Sequence, residues 1–152
     1  MSLTWLRFYS FPEDPIQNEG AVAFTVYASG SRFYEIGEVV TFDSVLTNEG
    51  EHYQTNSSFF ICPKDGLYVF SVTVCGNTQS EEFQANIMRE NEAYVTARAH
   101  VTDIDQGLAT AAMFCGSGER VWVRVQGTGT IGELYASETD RVSTFTGYLI
   151  EY

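Results

Sequence analysis

The chain has 152 residues, of which 44% are hydrophobic, and a formal net charge of −12 with a single lysine. This size and composition are those of one globular domain. Nucleic acids and anionic membranes attract clustered Lys and Arg, so the charge excludes both as expected partners. No run of about 18 apolar residues occurs, so the sequence predicts no transmembrane helix.

Residues 1–18 predict an N-terminal arm or linker, because Pro12 and Pro15 lie among polar residues there. Residues 19–152 are then the globular domain. The first residues do not have the pattern of a signal peptide, since Arg7 interrupts the apolar run and no small-residue cleavage site follows.

Short segments of alternating polarity follow from residue 21 onward, separated by Gly, Asn and Pro. They cover residues 21–29, 37–43, 57–62, 66–75, 107–115, 119–126 and 142–152. Many short strands with regular turn residues between them predict an all-β sandwich or barrel.

Residues 80–101 are compatible with two structures. Phe83, Ile87 and Tyr94 have a spacing that fits a helix, whereas alternation on either side of Glu90-Asn91 fits two strands. Periodicity alone leaves both alternatives open.

The strand predicted at residues 66–75 is apolar on both of its faces. Tyr68, Phe70 and Val72 point one way, and Leu67 and Val69 point the other. A sheet usually turns one face to the core and the other to water. Something beyond the core must therefore cover the second face.

The three cysteines, Cys62, Cys75 and Cys115, are an odd number with no zinc-site spacing. We expect buried free thiols. One disulfide with one remaining thiol is the alternative.

The region from residue 42 to residue 70 carries a specific spaced pattern. It consists of Phe, five residues, Asn or Asp, four residues, an aromatic, six residues, Phe, five residues, and Gly-x-Tyr-x-Phe. The residues that match it are Phe42, Asn48, Tyr53, Phe60, Gly66, Tyr68 and Phe70. Val72 stands where the pattern ends on an aromatic. The blocks AFTV (23–26), GERVWVRV (118–125) and STFTGYLI (143–150) follow the same order. Over residues 21–152 the sequence thus resembles the C1q globular-head family.

The resemblance implies a ten-stranded antiparallel jelly-roll sandwich, shared with the tumour necrosis factor superfamily, that assembles as a homotrimer. It implies two strands in residues 80–101 with a turn at 90–92, and neighbouring subunits over the second face of residues 66–75. The residues expected in the core or the subunit contact are Phe42, Asn48, Tyr53, Phe60, Gly66, Tyr68, Phe70, Phe145, Gly147 and Tyr148.

The resemblance also implies calcium near the trimer apex through an Asp-Gln pair, which Asp105-Gln106 matches. Asp103 shares a face with Asp105 in an extended chain, and carboxylate oxygens suit calcium. The partner acidic position falls on Ala97, beside Arg98, so we expect an incomplete site. A solvated loop is the alternative, and no cofactor is required.

Asn56-Ser57-Ser58 is an N-glycosylation sequon in a predicted surface segment. The GTGTIG segment (127–132) matches Gly-x-Gly-x-x-Gly, but no helix opens there, so an ordinary loop is expected. His52 and His100 are the only histidines, and no Gly-x-Ser-x-Gly is present. We therefore expect no enzyme.

The expected function is that of a secreted, lectin-like recognition protein of innate immunity that binds glycans or microbial surfaces without catalysis. No collagen repeat precedes the head, so either the protein is head-only or a stalk has been removed. The alternative is a trimeric signalling ligand for a cell-surface receptor, similar to adiponectin-like and cerebellin-like proteins.

Overall fold

A computed structural model of the chain describes residues 20–76, 82–100, 105–127 and 132–151. The predicted arm, residues 1–18, lies outside the described residues. Twelve strands occur in the described part, in this order: β1 (Ala23–Tyr27), β2 (Gly30–Phe33), β3 (Ser44–Glu49), β4 (Tyr53–Gln54), β5 (Phe59–Ile61), β6 (Gly66–Gly76), β7 (Phe83–Arg89), β8 (Glu92–Ala99), β9 (Asp105–Cys115), β10 (Arg120–Gln126), β11 (Glu133–Ser137) and β12 (Thr144–Glu151).

The strands form two antiparallel sheets, as the sequence predicted. One is seven-stranded, in the order β2-β11-β6-β12-β1-β3 with β9 also paired to β6, and the other is five-stranded, in the order β4-β5-β10-β7-β8. The resemblance implied ten strands, and the two additional segments reflect short pieces such as β4, which has two residues. No helix in the described part is long and apolar enough to cross a membrane.

The ambiguous region 80–101 forms strands, so the strand alternative is confirmed and the helix is wrong. Ile87 of β7 pairs with Val95 of β8 in an antiparallel hairpin, and the chain reverses at Glu90 with a φ of 49°. Phe83, Ala85 and Ile87 are all buried at a period of two, which brings one face of β7 against the core.

The core lies between the sheets and is dominated by aromatic rings. Phe24 lies 4.8 Å from Phe60 and 5.0 Å from Phe145 between ring centroids. The alternating residues Tyr68 and Phe70 of β6 complete this cluster. Burying each such ring contributes about 1.5–3 kcal/mol, so the cluster is a major source of the fold's stability.

Cys62 and Cys115 form a disulfide, and Cys75 is free and buried. The expectation of three free thiols is therefore wrong, and the alternative with one disulfide is correct. Cys115 ends β9 opposite Gly66 of β6, which brings it beside the turn that follows Cys62. This proximity depends on strand pairing between distant segments, so the cysteine spacing did not reveal it.

Candidate functional site

Six aromatic residues of the sequence signature lie inside the single chain. Each is at most 3% exposed, and they are Phe42, Tyr53, Phe60, Tyr68, Phe70 and Phe145. Their rings contact one another across the sandwich, for example Phe42 with Phe145 at 5.7 Å and Phe60 with Phe70 at 5.5 Å. These side chains join the two sheets and are not available to a partner.

Asn48 and Tyr53 of the signature fix the connection between β3 and β4. The Asn48 amide nitrogen donates to the Tyr53 carbonyl at 3.0 Å, and its oxygen accepts from the Tyr53 N–H at 3.1 Å. The Tyr53 hydroxyl donates to the Phe42 carbonyl at 3.0 Å. Burial raises the pKa of Tyr53, because the phenolate would lose its hydration there.

The two signature glycines have different surroundings. A Cβ on Gly147 would lie 2.5 Å from ring atoms of both Phe24 and Phe70, so only glycine leaves room for the rings at this point of β12. Gly66 begins β6 opposite Cys115 and thus next to the disulfide.

The second face of β6 is continuous with the outward faces of β9 and β12. Leu67 pairs with Phe114, and Val69 pairs with both Ala112 and Tyr148. We call this surface the outer face, and it consists of Leu67, Val69, Ser71, Thr73, Leu108, Thr110, Ala112, Phe114, Thr144, Thr146 and Tyr148.

All of these side chains are uncharged. Glu151 of β12, which pairs with Leu67, places a carboxylate at the end of this surface. Phe114 is 71% exposed, Leu108 67% and Tyr148 45% in the single chain. Among the predicted contact residues, Tyr148 is thus the one whose side chain reaches this surface. Leu108 and Phe114 were not predicted, although their alternation within residues 107–115 could have indicated an apolar outward face.

A cleft of about 430 Å³ lies at one end of the outer face. Leu67 and Phe114 belong to both, and the remaining lining residues are Asp65, Gly66 and Glu151. The cleft is therefore an extension of the same surface.

A separate, polar pocket of about 260 Å³ lies beside β2. We call it the Arg32–Asp43 pocket, and its lining residues are Ser29, Gly30, Ser31, Arg32, Tyr34, Thr41 and Asp43. Burial alone would raise the pKa of Asp43. The hydroxyl and the N–H of Ser29 donate hydrogen bonds to the carboxylate, and the pKa of Asp43 is lowered overall. The sequence contained no motif that pointed to this pocket.

Of the predicted calcium ligands, Asp103 lies outside the described residues. The Asp105 carboxylate accepts from the N–H groups of Gln106 at 3.0 Å and His100 at 3.3 Å, and the Gln106 side chain donates to the Val142 carbonyl at 3.0 Å. The described residues contain no group of three or more His, Cys, Asp or Glu placed to hold a metal. Since calcium takes 6–8 oxygen ligands, this part of the chain does not by itself form the predicted site.

The sequon residue Asn56 is exposed in the turn between β4 and β5. Ser58, the third sequon residue, is buried with a φ of 60°, and its hydroxyl accepts from the Phe42 N–H at 3.0 Å. The side chain that would carry a glycan is therefore at the surface, while its neighbour is part of the fold.

In the part of the chain that the structure describes, neither histidine side chain has a catalytic partner. The His52 and Phe60 rings lie roughly perpendicular to each other, with their centroids 6.5 Å apart. Burial and, to a smaller extent, the charge of Lys64 lower the pKa of His52. Within residues 20–76, 82–100, 105–127 and 132–151, no hydrogen bond links a histidine side chain to a nucleophile or a carboxylate. Most of the GTGTIG segment, residues 128–131, lies outside the described residues.

The C1q domain family model matches residues 23–150. The chain therefore belongs to the C1q domain family. Caprin-2 of Danio rerio is 32% identical over 117 residues, which cover 76% of this chain and 12% of that protein. Human complement C1q and tumor necrosis factor-related protein 9B is 30% identical over 130 residues, which cover 84% of this chain and 38% of that protein. The chain thus spans well under half the length of these relatives.

Solved structures agree on the fold. The globular domain of zebrafish complement 1qA superposes with a TM-score of 0.67 at 16% identity, covering 85% of this chain and 97% of that one. Eiger TNF from S. frugiperda superposes with a TM-score of 0.66 at 15% identity, covering 86% of this chain and 93% of that one. Murine APRIL superposes with a TM-score of 0.66 at 9% identity, covering 86% of this chain and 99% of that one. The sandwich is therefore the jelly roll of C1q and tumour necrosis factor proteins, as the sequence predicted.

Proposed function

We propose that this C1q domain is a homotrimeric, extracellular recognition module that binds glycans or microbial surface patterns and catalyses no reaction. The observation that carries the proposal is the uncharged outer face of the seven-stranded sheet. Exposed apolar surface of this kind is typical of protein–protein contacts.

Association through the outer face is favoured by the charge of the chain. Each copy has a net charge of −12, so like copies repel, and the repulsion is least where they meet through an uncharged surface. The outer face offers Phe114, Leu108 and Tyr148 without a carboxylate between them. Burial of three copies of this surface around a common axis would also cover Leu67 and Val69.

Binding, as opposed to catalysis, is supported by the character of the described side chains. The rings of the signature serve the core, and among the described residues no hydrogen bond links a histidine side chain to a nucleophile or a carboxylate. A trimer would present three identical loop surfaces, so weak individual contacts would combine into much stronger binding to a repetitive surface.

An extracellular location is supported by the disulfide between Cys62 and Cys115. Such bonds persist in secreted proteins and are rare in the reducing cytosol.

Analytical ultracentrifugation tests the assembly. We expect the wild-type protein to sediment at three times the chain mass, and the charge-introducing variants Leu108→Glu and Phe114→Glu to sediment as monomers. Ile36→Glu is the matched control, because Ile36 is 50% exposed outside the outer face. A monomeric wild-type protein at micromolar concentration would contradict the proposal.

Glycan arrays test the recognition. We expect the trimer to bind a subset of immobilised glycans and free sugar to compete. A protein that binds no glycan, but captures a receptor ectodomain, would instead support the alternative function, a trimeric signalling ligand. That alternative is favoured by the names of the human relatives, which combine complement C1q and tumor necrosis factor.

Calcium binding by Asp103, Asp105 and Gln106 is a narrower proposal. It is supported by the exposed position of Asp105 and Gln106 at the start of β9 and by their oxygen donors. Millimolar calcium would raise the melting temperature of the wild-type protein but not of Asp103→Asn, because a ligand stabilises the state that binds it. An unchanged wild-type melting temperature would reject the site.

Glycosylation at Asn56 is proposed on the exposure of its side chain. Protein secreted from a eukaryotic host should lose mass on treatment with an N-glycosidase. The Asn56→Gln variant should have the deglycosylated mass without treatment, and an untreated wild type of that same mass would exclude the modification.

A further inference from the structure

The Arg32–Asp43 pocket contains two opposite charges that do not pair with each other. Within the part of the chain that the structure describes, the ion pair of Arg32 is with Glu38 at 3.6 Å, and none joins it to Asp43. Arg32 instead donates to the Thr41 hydroxyl at 3.2 Å, while Asp43 accepts from Ser29. Arg32 and Asp43 thus line one small cavity while each bonds to other residues.

Both charged groups are held in place by their neighbours. The Asp43 carboxylate accepts from the Ser29 N–H at 3.0 Å and from its hydroxyl at 2.6 Å. The Arg32 guanidinium lies 4.8 Å from the centre of the Tyr34 ring. The Tyr34 hydroxyl in turn accepts from the Thr41 N–H at 3.0 Å, which joins two lining residues of the pocket. Such preorganisation lowers the entropy that a bound ligand must offset.

Each group can exchange a present partner for a ligand. A carboxylate has about four lone-pair positions, and Ser29 occupies two of those of Asp43. The Asp43 N–H and the Ser44 hydroxyl also bond to this carboxylate and contribute less to its lowered pKa than Ser29 does, so a ligand hydroxyl competes with these two. A guanidinium has five N–H donors, and the Glu38 pair is exposed, with 53% and 38% side-chain exposure. An exposed pair of this kind contributes little, so it yields readily to a ligand.

We propose that the Arg32–Asp43 pocket binds one neutral sugar unit through its hydroxyl groups. One hydroxyl donates to the Asp43 carboxylate, and another accepts from the Arg32 guanidinium. The inference rests on the proposed glycan recognition and assigns the residues that perform it.

The size and charge of the pocket select this ligand class. A volume of about 260 Å³ is roughly that of nine water molecules at about 30 Å³ each, which suits one sugar ring but not a drug-sized ligand. Glu38 beside Arg32 and the acidic chain disfavour acidic sugars. Hydroxyl groups both donate and accept, so one sugar can donate to the Asp43 carboxylate and accept from the Arg32 guanidinium.

Gly30 provides a way to close the pocket without removing a hydrogen bond. A Cβ at Gly30 would meet nothing within 4 Å, and the residue lines the pocket. Leucine at this position would occupy the cavity. Phe33 is 66% exposed and does not line the pocket, so Phe33→Ala is the matched control.

The test is an NMR titration of the ¹⁵N-labelled protein with the methyl glycosides of glucose, galactose, mannose and N-acetylglucosamine. Methyl glucuronide serves as the acidic comparison. We expect saturable shifts of the Ser29, Gly30 and Thr41 amides with at least one neutral glycoside. In Asp43→Asn, Arg32→Gln and Gly30→Leu the affinity should fall about tenfold or more, because each variant removes or blocks a charge-assisted contact. Phe33→Ala should bind as the wild type does.

A parallel glycan array separates the two proposals. Array binding with shifts elsewhere, or with Gly30→Leu unaffected, would overturn the pocket assignment and leave glycan recognition intact. Saturable pocket shifts without array binding would support the pocket and contradict glycan recognition as the function. The absence of both would overturn both.

Discussion

The side chain of Asn48 forms hydrogen bonds to both the N–H and the carbonyl of Tyr53, at 3.1 and 3.0 Å. The amide thereby substitutes for a paired strand where the chain turns from β3 into β4. This explains why an Asn at this spacing before an aromatic belongs to the signature, since no apolar side chain can satisfy both backbone groups.

Asn48→Ala should therefore lower the free energy of unfolding by about 1–3 kcal/mol, because two partly buried backbone groups lose their partners. Asn48→Asp keeps an acceptor for the Tyr53 N–H and should fall between Ala and the wild type. Urea unfolding measures the difference, with exposed Glu49→Gln as control. Equal midpoints for Asn48→Ala and the wild type would show that the turn forms without the amide.

Gly147→Ala should destabilise the protein by about 1–3 kcal/mol, the usual cost of an overpacked core. The added methyl group would lie 2.5 Å from the rings of Phe24 and Phe70, which are themselves confined by the sheets. Gly30→Ala is the comparison, because its Cβ meets nothing within 4 Å. In thermal unfolding, the melting temperature should fall for Gly147→Ala but not for Gly30→Ala. Equal decreases for the two variants would exclude the packing explanation.

Tyr53 should make stability depend on alkaline pH. Burial raises its pKa in the folded state above the ordinary value of 10.0, so the folded protein holds the proton more tightly than the unfolded chain. The resulting stability is present below pH 10 and is lost as the pH rises above it.

Tyr53→Phe should be less stable than the wild type at pH 8 by about 1 kcal/mol, because the hydrogen bond to the Phe42 carbonyl is lost. Between pH 10 and 11 the free energy of unfolding of this variant should fall by less than that of the wild type. Some alkaline dependence should remain, since burial also raises the pKa of Tyr68. If the urea midpoints of the wild type and of Tyr53→Phe differed by the same amount at every pH from 8 to 11, the role of Tyr53 would be contradicted.

Removal of the disulfide should lower the free energy of unfolding by about 2–5 kcal/mol, since the bond closes a long loop in the unfolded chain. Reductant should lower the melting temperature of the wild type but leave a Cys62→Ala, Cys115→Ala double variant unchanged. Thiol titration provides a second check. The denatured, unreduced protein should expose one reactive thiol per chain, from Cys75, and the native protein none, because Cys75 is buried and its pKa is raised.

Much of the architecture was predictable because it depends on local pattern. Alternation in residues 66–75 places Tyr68, Phe70 and Val72 on one face, and these residues are buried. The spaced signature then selected the jelly roll from other all-β folds. Residues 80–101 show the limit of periodicity, since helix formers there could not reveal that Ile87 and Val95 pair across a hairpin.

The disulfide and the pocket were not predictable in the same way. Cys62 meets Cys115 only because β9 pairs along β6 in one register, and 53 positions separate them in the chain. Arg32 and Asp43 likewise face one cavity because β2 joins the sheet through β11 while Asp43 precedes β3.

By itself, then, the sequence determined which residues are hidden and which fold they form, because side-chain alternation and turn residues act over a few neighbouring positions. Tertiary structure alone decided which distant side chains meet, including the two bonded cysteines and the charges of the pocket. Such meetings depend on strand order and register, which are set by the packing of the whole sandwich and leave no mark in any single segment.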